Sequence, residues 1–323
     1  MTNVLVTGGA GYIGSHSCKA LAAAGLTPIT YDNLSRGHRW AVKWGPFEQG
    51  DIRDRSRLDA VLRQHKPAAI LHCAAFAYVG ESVENPALYY DNNVIGSLTL
   101  LNAACAAAIE NMVFSSSCAV YGVPPSMPVT EDMPYAPISP YGRTKMIVEG
   151  MLTDYGAAIH SIVLRYFNAA GADPTGETGE DHDPEPHLIP RTLMAAAGAL
   201  PRLDIFGEDY PTPDGTAIRD FIHVTDLADA HVRAVRALLA GGGSETFNLG
   251  TGSGYSVRSI VDAVERITGR KVPVAMGPRR PGDPAALVAA PGRAQERLGC
   301  TMSNSNLDTI IKTAWAWYQR GAR

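Results

Sequence analysis

Residues 139–145 read SPYGRTK and place a tyrosine four positions before a lysine. Ser139 is a good helix N-cap, and Pro140 suits the first turn of a helix that would follow it. Tyr141 and Lys145 then share one face of that helix. The ammonium group would lower the pKa of the phenol, ordinarily about 10, and make Tyr141 a usable general base near neutral pH. A half-buried tyrosine beside a surface lysine has the same spacing, so the pair alone leaves both interpretations open.

A glycine-rich stretch, VLVTGGAGYIG, follows the first apolar run of the chain. It contains Gly9-x-Gly11-x-x-Gly14, and Gly8 forms a second regular spacing with the last two glycines. Glycines at these places let the backbone turn tightly and approach a pyrophosphate, whose charge is neutralised by amide groups at a helix N-terminus. The stretch therefore predicts a dinucleotide site, with a tight turn that binds nothing as the alternative.

Asp32 ends the next apolar run, TPITYD. A carboxylate at this place accepts hydrogen bonds from the ribose hydroxyl groups of the cofactor and repels a 2′-phosphate, which favours NAD over NADP. Arg36 and Arg39 lie nearby in the sequence and leave that choice open. Asp51 and Ile52 follow a further predicted strand and could flank the adenine.

Two later apolar runs also end in residues that suit a binding site. AAILHCAA ends in Cys73, Ala74 and Ala75, whose small side chains allow a cofactor to pass closely. NMVFSSS ends in serines at positions 115–117, which are either polar residues at a strand end or hydrogen-bonding groups for a ligand. Open parallel sheets bind ligands at the carboxyl ends of their strands, so both places are expected near the glycine-rich stretch.

The elements that must carry these residues alternate through the first half of the chain. Five apolar runs predict strands: NVLVT, TPITYD, AAILHCA, NMVFSSS and HSIVLRYF. Helical patterns separate most of them, which is typical of a doubly wound parallel sheet, the Rossmann arrangement of the α/β class. We expect an NAD-binding domain of this kind over residues 1–166, and residues 218–240 as a candidate segment that returns to it.

After residue 167 the chain reads NAAGADPTGETGEDHDPEPHLIP, which is too rich in glycine, proline and acids for a buried strand. Shorter units follow: strands in LDIFG and AIRDFIHV, a helix over 191–199, and helices in TDLADAHVRAVRALLA, SVRSIVDAVERITG and LDTIIKTAWAWYQ. We expect residues 167–323 to form mainly a smaller mixed α/β domain that binds the substrate.

The composition of the chain indicates which partners, cellular location and covalent or metal sites to expect. The chain has 323 residues, 46% of them hydrophobic, which is enough for a sizeable core. The net charge of -4 and the absence of a basic run argue against nucleic acid and against membrane surfaces as partners. The N-terminal sequence lacks the pattern of a signal peptide, and no apolar stretch approaches the roughly 20 residues of a membrane span, so we expect a cytoplasmic protein. Five scattered cysteines without Cys-x-x-Cys spacing predict neither a disulfide framework nor a metal site.

The predicted first strand, the glycine loop, Asp32, a serine at the end of a later strand and Tyr-x-x-x-Lys together resemble the extended branch of the short-chain dehydrogenase/reductase superfamily. Within that branch the chain is similar to the nucleotide-sugar 4-epimerases over nearly its full length. The stretches that carry this resemblance are VTGGAGYIGSH, YDNLSRG, VGESVENPALYYDNNV, FSSSCAVYG, SPYGRTK, LRYFNAAGADP, YPTPDGTAIRDFIHVTDLADAH, NLGTG and RRPGD. The resemblance implies NAD as cofactor and a UDP-sugar as substrate.

The resemblance also implies a role for each catalytic residue. Tyr141 would remove the proton from the 4-hydroxyl of the sugar as NAD takes hydride from C4, and both transfers would reverse on the other face of a bound 4-keto sugar. Lys145 would bind the nicotinamide ribose and, with the cationic nicotinamide, lower the pKa of Tyr141, while Ser117 holds the reacting hydroxyl. Dehydratases of this superfamily carry an Asp-Glu pair directly after the serine or threonine. This chain has Cys118 and Ala119 there, so elimination of water is not expected.

Further contacts follow from the resemblance alone. The implied NAD-binding residues are Gly8, Gly11, Tyr12, Ile13, Gly14, Asp32, Asn33, Asp51, Ile52, Cys73, Ala74, Ala75, Asn92, Tyr141, Lys145 and Tyr166. The implied substrate-binding residues are Ser117, Tyr141, Asn168, His187, Leu188, Phe206, Arg219, Arg280, Asp283 and Leu287. Arg219 and Arg280 would meet the diphosphate, as suits guanidinium donors, and Phe206 would stack on the uracil. Asp283 would bind the uridine ribose, and Asn168 would lie near the diphosphate or the sugar.

The identity of the sugar stays open in the sequence. UDP-glucose and UDP-galactose are the leading expectation. The segment AAFAYVGES has Ala77 where many hexose epimerases carry a lysine, which keeps UDP-xylose and UDP-arabinose as alternatives. Leu287 stands four residues after Asp283, where a tyrosine restricts relatives to plain hexoses, so UDP-N-acetylhexosamines are a further alternative.

Two other activities are alternatives to epimerisation. A net dehydrogenase would release NADH in amounts equal to its product. A non-catalytic NAD-binding regulator is disfavoured, because Tyr141 and Lys145 are both present. The resemblance further implies a homodimer, in which helices near residues 85–108 and 139–155 pack against their copies.

Overall fold

The computed structural model describes residues 2–280 and 282–321. Its strands are β1 (Asn3–Thr7), β2 (Thr27–Asp32), β3 (Phe47–Gln49), β4 (Ala69–His72), β5 (Asn111–Ser117), β6 (His160–Tyr166), β7 (Asn168–Ala170), β8 (Leu203–Phe206), β9 (Ile218–Arg219), β10 (Phe221–His223), β11 (Glu245–Leu249), β12 (Tyr255–Ser256), β13 (Val274–Gly277) and β14 (Ala286–Leu287). Its α-helices are α1 (Tyr12–Ala23), α2 (Arg55–His65), α3 (Val79–Glu84), α4 (Pro86–Tyr89), α5 (Gly96–Ala106), α6 (Pro140–Asp154), α7 (Leu188–Ala197), α8 (Val224–Leu239), α9 (Val257–Thr268), α10 (Gly292–Leu298) and α11 (Leu307–Tyr318). A π-helix over Tyr90–Ile95 joins α4 to α5.

Seven strands form one sheet in the order β11-β6-β5-β4-β1-β2-β3, and every neighbouring pair is parallel. The five predicted strands are confirmed as β1, β2, β4, β5 and β6. Val4, Leu5 and Val6 of β1 are fully buried. Val4 and Val6 pack with residues of α1 and α8, whereas Leu5 packs with residues of α2 and α5. Helices therefore cover both faces of the sheet, which is the doubly wound arrangement and explains the continuous apolar runs.

The chain returns to this sheet late in the sequence. The amphipathic helix α8 packs on α1 and contributes Leu227 and Val235 to the core of that face. It leads into β11, which pairs with β6 at the edge of the sheet. The returning part thus differs from the predicted segment 218–240: β9 and β10 belong to small separate sheets, and the return runs through α8 to Leu249.

A second region is built from shorter elements. β7 pairs with β10, β8 pairs with β13, and β9 lies between β12 and β14. Leu193 of α7, Ile260 of α9 and Ile310 of α11 share its apolar core. Helix α7 begins at Leu188, earlier than the predicted residue 191, because Pro190 fits within a first turn. Within the described ranges, no helix is long and apolar enough to cross a bilayer.

The parallel strands deliver the predicted site residues to one edge of the sheet. The glycine loop follows β1, and Cys73 follows β4. Ser117 and Tyr166 end β5 and β6. All four places lie at carboxyl ends of adjacent strands, where sheets of this type bind ligands.

Candidate active site

Helix α6 carries the tyrosine–lysine pair, and its predicted start is confirmed. Pro140 is its first residue, and the Ser139 side chain caps it by accepting a hydrogen bond from a backbone amide of the first turn. Tyr141 and Lys145 are 7% and 3% exposed, and Lys145 Nζ lies 5.9 Å from the centre of the Tyr141 ring. The ammonium group donates a hydrogen bond to the Ser115 carbonyl oxygen at 2.6 Å. The pair is therefore buried beside β5. The alternative interpretation, a half-buried tyrosine beside a surface lysine, does not fit.

In the protein without ligands, burial affects the pKa of Tyr141 more than Lys145 does. Burial raises the pKa of Tyr141 to about 12, although the neighbouring Ser117 hydroxyl works in the opposite direction. Burial also lowers the pKa of Lys145 to about 8. The expected lowering of the phenol pKa by the cation is thus absent among these residues, because desolvation dominates and the ammonium group is turned to the Ser115 carbonyl. A bound group with positive charge would act in the expected direction.

Side chains from three adjacent strand ends meet next to this pair. Ser117 is 8% exposed and lies opposite Tyr166 in the register of β5 and β6. Ser115 Oγ lies 2.8 Å from Nε2 of His231 on α8 and 3.2 Å from Cys73 Sγ. The strand ends are therefore tied to each other and to α8 around the buried ammonium group. Sequence reasoning missed His231, whose helical pattern gave no sign of this contact.

The glycine loop is shaped so that only glycine fits at two of its positions. Gly8 has a φ of 71°, and a Cβ there would lie 2.7 Å from the Ala74 nitrogen. A Cβ on Gly14 would lie 2.1 Å from the Gly8 carbonyl oxygen. Helix α1 starts at Tyr12 with Gly11 as its N-cap, and no side chain caps it. The amides of its first turn are thus left for an anion such as a pyrophosphate.

The next two residues tie this loop to the rest of the molecule. Tyr12 donates a hydrogen bond from its hydroxyl to the Gly171 carbonyl oxygen at 2.6 Å, which links the loop to the second region. Ile13 packs against the core between α1, α8 and the sheet. Their side chains hold the loop in place while their backbone amides remain at the helix start.

Asp32 sits at the end of β2 with its carboxylate held by backbone amides. It accepts hydrogen bonds from Ala10 N at 3.0 Å and from the amide two residues later at 2.8 Å. Arg36 pairs with Glu81, and the Arg39 guanidinium stacks over a phenylalanine ring of β3 at 4.8 Å. Both arginines are engaged by other partners, which favours NAD over NADP at this place.

The predicted adenine-side residues form a small network with an unexpected member. Asn33 donates a hydrogen bond to the Asp51 carboxylate at 2.9 Å. Hydrogen bonds from Arg53 hold the pKa of Asp51 well below its usual range. Ile52 is buried against Gly96, where a Cβ would lie 2.6 Å from the Ile52 Cδ1 atom. Asp51 is thus ionised and held in place before any ligand is considered.

The π-helix places two buried asparagines beside α6. Asn92 donates to the Asn93 side-chain oxygen at 3.0 Å. Asn93 also accepts from Phe76 N at 2.9 Å and donates to Thr144 Oγ1 at 3.1 Å, directly next to Lys145 in the sequence. Sequence reasoning selected Asn92 and missed Asn93, although the adjacent DNN letters were a signal for both.

Four of the predicted substrate-binding residues contact each other as two pairs. The Arg280 guanidinium lies 4.0 Å from the centre of the Phe206 ring. Arg219 pairs with Asp283, not with the acids that follow it in the sequence, and also donates to two backbone carbonyl oxygens at 2.7 and 2.9 Å. Arg219 lies opposite Leu287 in the register of β9 and β14, where Leu287 is 8% exposed. The chain after β13 thus brings Arg280 to Phe206 and Asp283 to Arg219.

Asn168 is the first residue of β7 and is bonded to Asp220, the residue after Arg219. Its side-chain amide donates to the Asp220 carbonyl oxygen at 2.9 Å. The Asp220 carboxylate accepts hydrogen bonds from the amides of Thr251, Gly252 and Ala289 at 2.8, 3.1 and 3.2 Å. The Asp220 carboxylate therefore fixes two backbone segments, at residues 251–252 and at Ala289.

His187 belongs to a cluster that sequence reasoning did not foresee. Its Nδ1 lies 2.6 Å from Glu180 and 3.1 Å from Glu185, and His182 Nδ1 lies 3.2 Å from Glu180. Burial disfavours charged imidazoles, yet the two carboxylates more than offset it and raise the pKa of His182 to about 9 and of His187 to about 10. Two imidazolium groups thus balance two carboxylates, and the letters GEDHDPEPH were the available signal. Leu188 follows as the first residue of α7 and packs on the core of the second region.

The fold and site together define a class, the NAD-type α/β enzymes with a tyrosine–lysine pair on the helix after the fifth strand of the main sheet. Residues 4–250 match the NAD dependent epimerase/dehydratase family, and the chain belongs to this family. A UDP-glucose 4-epimerase of Rhizobium meliloti (strain 1021) is 56% identical to it, over 98% of this chain and 97% of the relative. The crystal structure of UDP-glucose 4-epimerase from Brucella ovis in complex with NAD has a TM-score of 0.96 and 57% identity, with 98% of both chains covered. UDP-glucose-4-epimerase from Stenotrophomonas maltophila, with bound NAD and formylated UDP-arabinopyranose, has a TM-score of 0.96 and 42% identity, with 99% of this chain and 98% of that chain covered.

Proposed function

We propose that the protein is an NAD-dependent UDP-glucose 4-epimerase that interconverts UDP-glucose and UDP-galactose. The observation that carries this is the buried Tyr141–Lys145 pair beside Ser117, in a chain that matches epimerases of that name over nearly its whole length. Directly after Ser117, burial raises the pKa of the Cys118 thiol to about 12, and Ala119 has no ionisable group. An elimination reaction would lack its acid and base at these two positions, whereas epimerisation would need only the one proton-transferring group that Tyr141 would supply.

The residues present fit NAD. The uncapped start of α1 would hold the pyrophosphate, with the glycines allowing close approach. Asp32 would receive the hydroxyl groups of the adenosine ribose, and Lys145 those of the second ribose. NAD, when bound, supplies a hydride acceptor and a positive charge to the site.

The chemistry of the chain itself is proton transfer and orientation. Tyr141 would take the proton of the sugar 4-hydroxyl and later return it to the same oxygen, which requires its phenol pKa to fall from the value near 12 that burial imposes. Lys145, whose Nζ lies 5.9 Å from the centre of the Tyr141 ring, does not by itself offset the effect of burial, so the positive charge of NAD would be needed to favour the phenolate. Ser117 would hold the 4-hydroxyl towards Tyr141, because a positioned hydroxyl group can accept or donate within the buried site.

The second region would hold the nucleotide. Arg219 and Arg280 would face the diphosphate, Phe206 would stack on the uracil and Asp283 would bind its ribose. In the structure these four side chains already pair with one another, so the substrate would replace the Arg219–Asp283 and Arg280–Phe206 contacts in part. Leu287 would line the sugar end of the pocket.

A UDP-pentose epimerase is the second candidate. It is supported by Ala77, which stands where many hexose epimerases have a lysine, and by the Stenotrophomonas maltophila structure that holds formylated UDP-arabinopyranose. We also propose a cytoplasmic location, since five free cysteines fit a reducing compartment.

The test is to incubate the purified enzyme separately with UDP-glucose, UDP-galactose, UDP-N-acetylglucosamine and UDP-xylose, and to resolve the products. Conversion between UDP-glucose and UDP-galactose without net NADH is the expected result. Deuterium at C4 should persist through many turnovers, because the hydrogen returns to the carbon it left. Release of one NADH per product would establish a dehydrogenase instead, and conversion of UDP-xylose alone would establish the pentose enzyme.

A further inference from the structure

A buried carboxylate lies on the face of α6 that carries the tyrosine–lysine pair. Glu149 follows Tyr141 and Lys145 at intervals of four residues, so the three side chains leave the helix in one direction. The Glu149 side chain is 2% exposed. It accepts hydrogen bonds from the Ser116 hydroxyl and from the Arg165 guanidinium, whose Nη2 lies 2.6 Å away. A group this buried and this fully bonded holds a fixed position.

The two partners of Glu149 come from neighbouring strands at the same level. Ser116 lies opposite Arg165 in the register of β5 and β6. Because side chains alternate along a strand, Ser116 bonds Glu149 of α6 while Ser115 bonds His231 of α8 on the opposite side of the sheet. One carboxylate therefore clamps the helix to both strands at the residue between the Lys145 acceptor, Ser115, and the proposed substrate contact, Ser117.

A second layer of bonds holds the clamp. Tyr135 donates its hydroxyl to Glu149 Oε2 at 2.8 Å, and Arg165 Nη1 donates to the Tyr121 hydroxyl at 2.7 Å. Tyr121 in turn donates to Asn248 of β11 at 2.7 Å. The network thus spans α6 and three strands of the sheet, and it is charge-balanced by the Glu149–Arg165 pair.

We propose that Glu149 is a positioning residue that sets the distance between the Tyr141–Lys145 face of α6 and Ser117 on β5. It acts through Ser116 and Arg165 and touches no reacting atom. This inference rests on the proposed epimerase function, in which Tyr141 and Ser117 share the sugar 4-hydroxyl. A displacement of about 1 Å between reacting groups can lower a rate about 100-fold, so a clamp at this point controls turnover more than substrate affinity.

Three variants test the clamp. Glu149→Gln keeps the shape and removes the charge, and Ser116→Ala removes one bond while leaving the ion pair. Glu48→Gln is the matched control, because Glu48 is also mostly buried and paired with Arg57, but lies on β3 at the opposite edge of the sheet. For each variant, kcat and KM for UDP-galactose are measured per NAD-loaded site, together with Tm.

We expect Glu149→Gln to lower kcat about 10- to 100-fold with KM changed less than about threefold, and Ser116→Ala to lower kcat less. Glu48→Gln should lower Tm without changing kcat. A kcat for Glu149→Gln within twofold of the wild type, or an effect confined to KM, would overturn the proposal. If Glu149→Gln does not fold, an unchanged kcat in Ser116→Ala would overturn the proposal.

A measurement that does not depend on activity separates this inference from the proposed function. Amide hydrogen exchange should become faster in Ser116→Ala and Glu149→Gln at residues 115–117 and in the first turns of α6, and stay unchanged there in Glu48→Gln. Equal exchange in all four proteins would contradict the clamp even if the wild type were not an epimerase. Conversely, an inactive wild type with the expected exchange pattern would refute the function and keep the clamp.

Discussion

At the scale of single residues, the site depends on two groups whose ionisation burial controls. Burial raises the pKa of Tyr141 to about 12 and lowers that of Lys145 to about 8. The free protein at neutral pH thus keeps a neutral phenol next to a largely charged amine. In the proposed function the phenol would lose its proton within the bound complex, and the positive charge of NAD would favour that loss.

Replacing Tyr141 by phenylalanine tests that role directly. Tyr141→Phe keeps the ring packing but cannot transfer a proton, so turnover should fall about 100- to 10,000-fold while NAD content stays at the wild-type level. Steady-state kinetics and the cofactor released on denaturation are the two measurements. Tyr318→Phe, far along the chain in α11, should leave both unchanged, and near-normal turnover in Tyr141→Phe would contradict the assignment.

At the scale of elements, the pairing of β9 with β14 fixes where Leu287 lies. Leu287 is opposite Arg219 and packs with Cys118 and Phe167 near the proposed sugar pocket. A leucine at this position leaves more room than a tyrosine ring would. In the proposed function, the width of the pocket at the sugar C2 would depend on Leu287, which is placed by the two-residue strand β14.

We expect the wild type to convert UDP-N-acetylhexosamines at least slowly, and Leu287→Tyr to suppress that activity selectively by about 10- to 200-fold. Turnover of UDP-galactose should change much less, and Leu287→Met, which keeps the side-chain volume, should preserve both activities. Competition between the two substrates in one reaction gives the ratio of kcat/KM. Equal loss of both activities in Leu287→Tyr would show that Leu287 is ordinary packing.

The loop before α7 is held by the cluster of Glu180, His182, Glu185 and His187. Both histidines have a raised pKa in the folded protein, about 9 and about 10. Their contribution to stability is therefore complete below the unfolded pKa of about 6.5 and is lost as the pH rises through 9 to 10. The loop should be tightest at neutral and mildly acidic pH.

This pH dependence can be measured against a variant that cannot titrate. In His182→Gln combined with His187→Gln, the amides still bond the carboxylates but carry no charge. The Tm difference between wild type and this double variant should be largest near pH 6, about half a unit below the unfolded pKa, and shrink towards pH 10. The exposed His160→Gln serves as control and should show a constant difference, and a gap that stays constant or widens for the double variant would contradict the ion-paired cluster.

At the scale of the whole molecule, three large apolar side chains are exposed on two elements that both pack against α6. Val79 and Val83 of α3 and Ile95 of the π-helix are 50%, 63% and 50% exposed. Neighbouring exposed apolar residues often mark a protein–protein interface. They adjoin α5 and α6, the helices that the family resemblance assigns to a homodimer, which supports a dimer as our proposal.

Light scattering at micromolar concentration should give twice the mass of the chain. Ile95→Glu should dissociate the dimer by placing a charge in the interface, whereas Val274→Glu, on a comparably exposed residue of β13, should not. A monomeric wild type, or equal behaviour of the two variants, would contradict the proposed interface.

Local signals in the sequence determined much of this molecule. The N-cap and proline before Tyr141, the glycine spacing after β1 and the apolar runs of five parallel strands each predict their element from a few neighbouring residues. They could do so because capping, turn geometry and burial of a continuous apolar strand depend on short stretches of chain. The same stretches predicted which residues gather at the carboxyl ends of the strands.

The tertiary structure decided the contacts, the burial and the pKa values of those residues. Three features join residues that are distant in the sequence. Arg219 and its partner Asp283 are 64 positions apart, and the paired residues Ile162 of β6 and Glu245 of β11 are 83 positions apart. The clamp joins Glu149 to Ser116 and Arg165, which are 33 and 16 positions away. The spacing predicts that Lys145 lowers the pKa of Tyr141, whereas among the residues of the protein alone this pKa rises, because desolvation depends on everything packed around the ring. Sequence spacing shows which groups can meet, whereas burial and long-range pairing decide their charge and position.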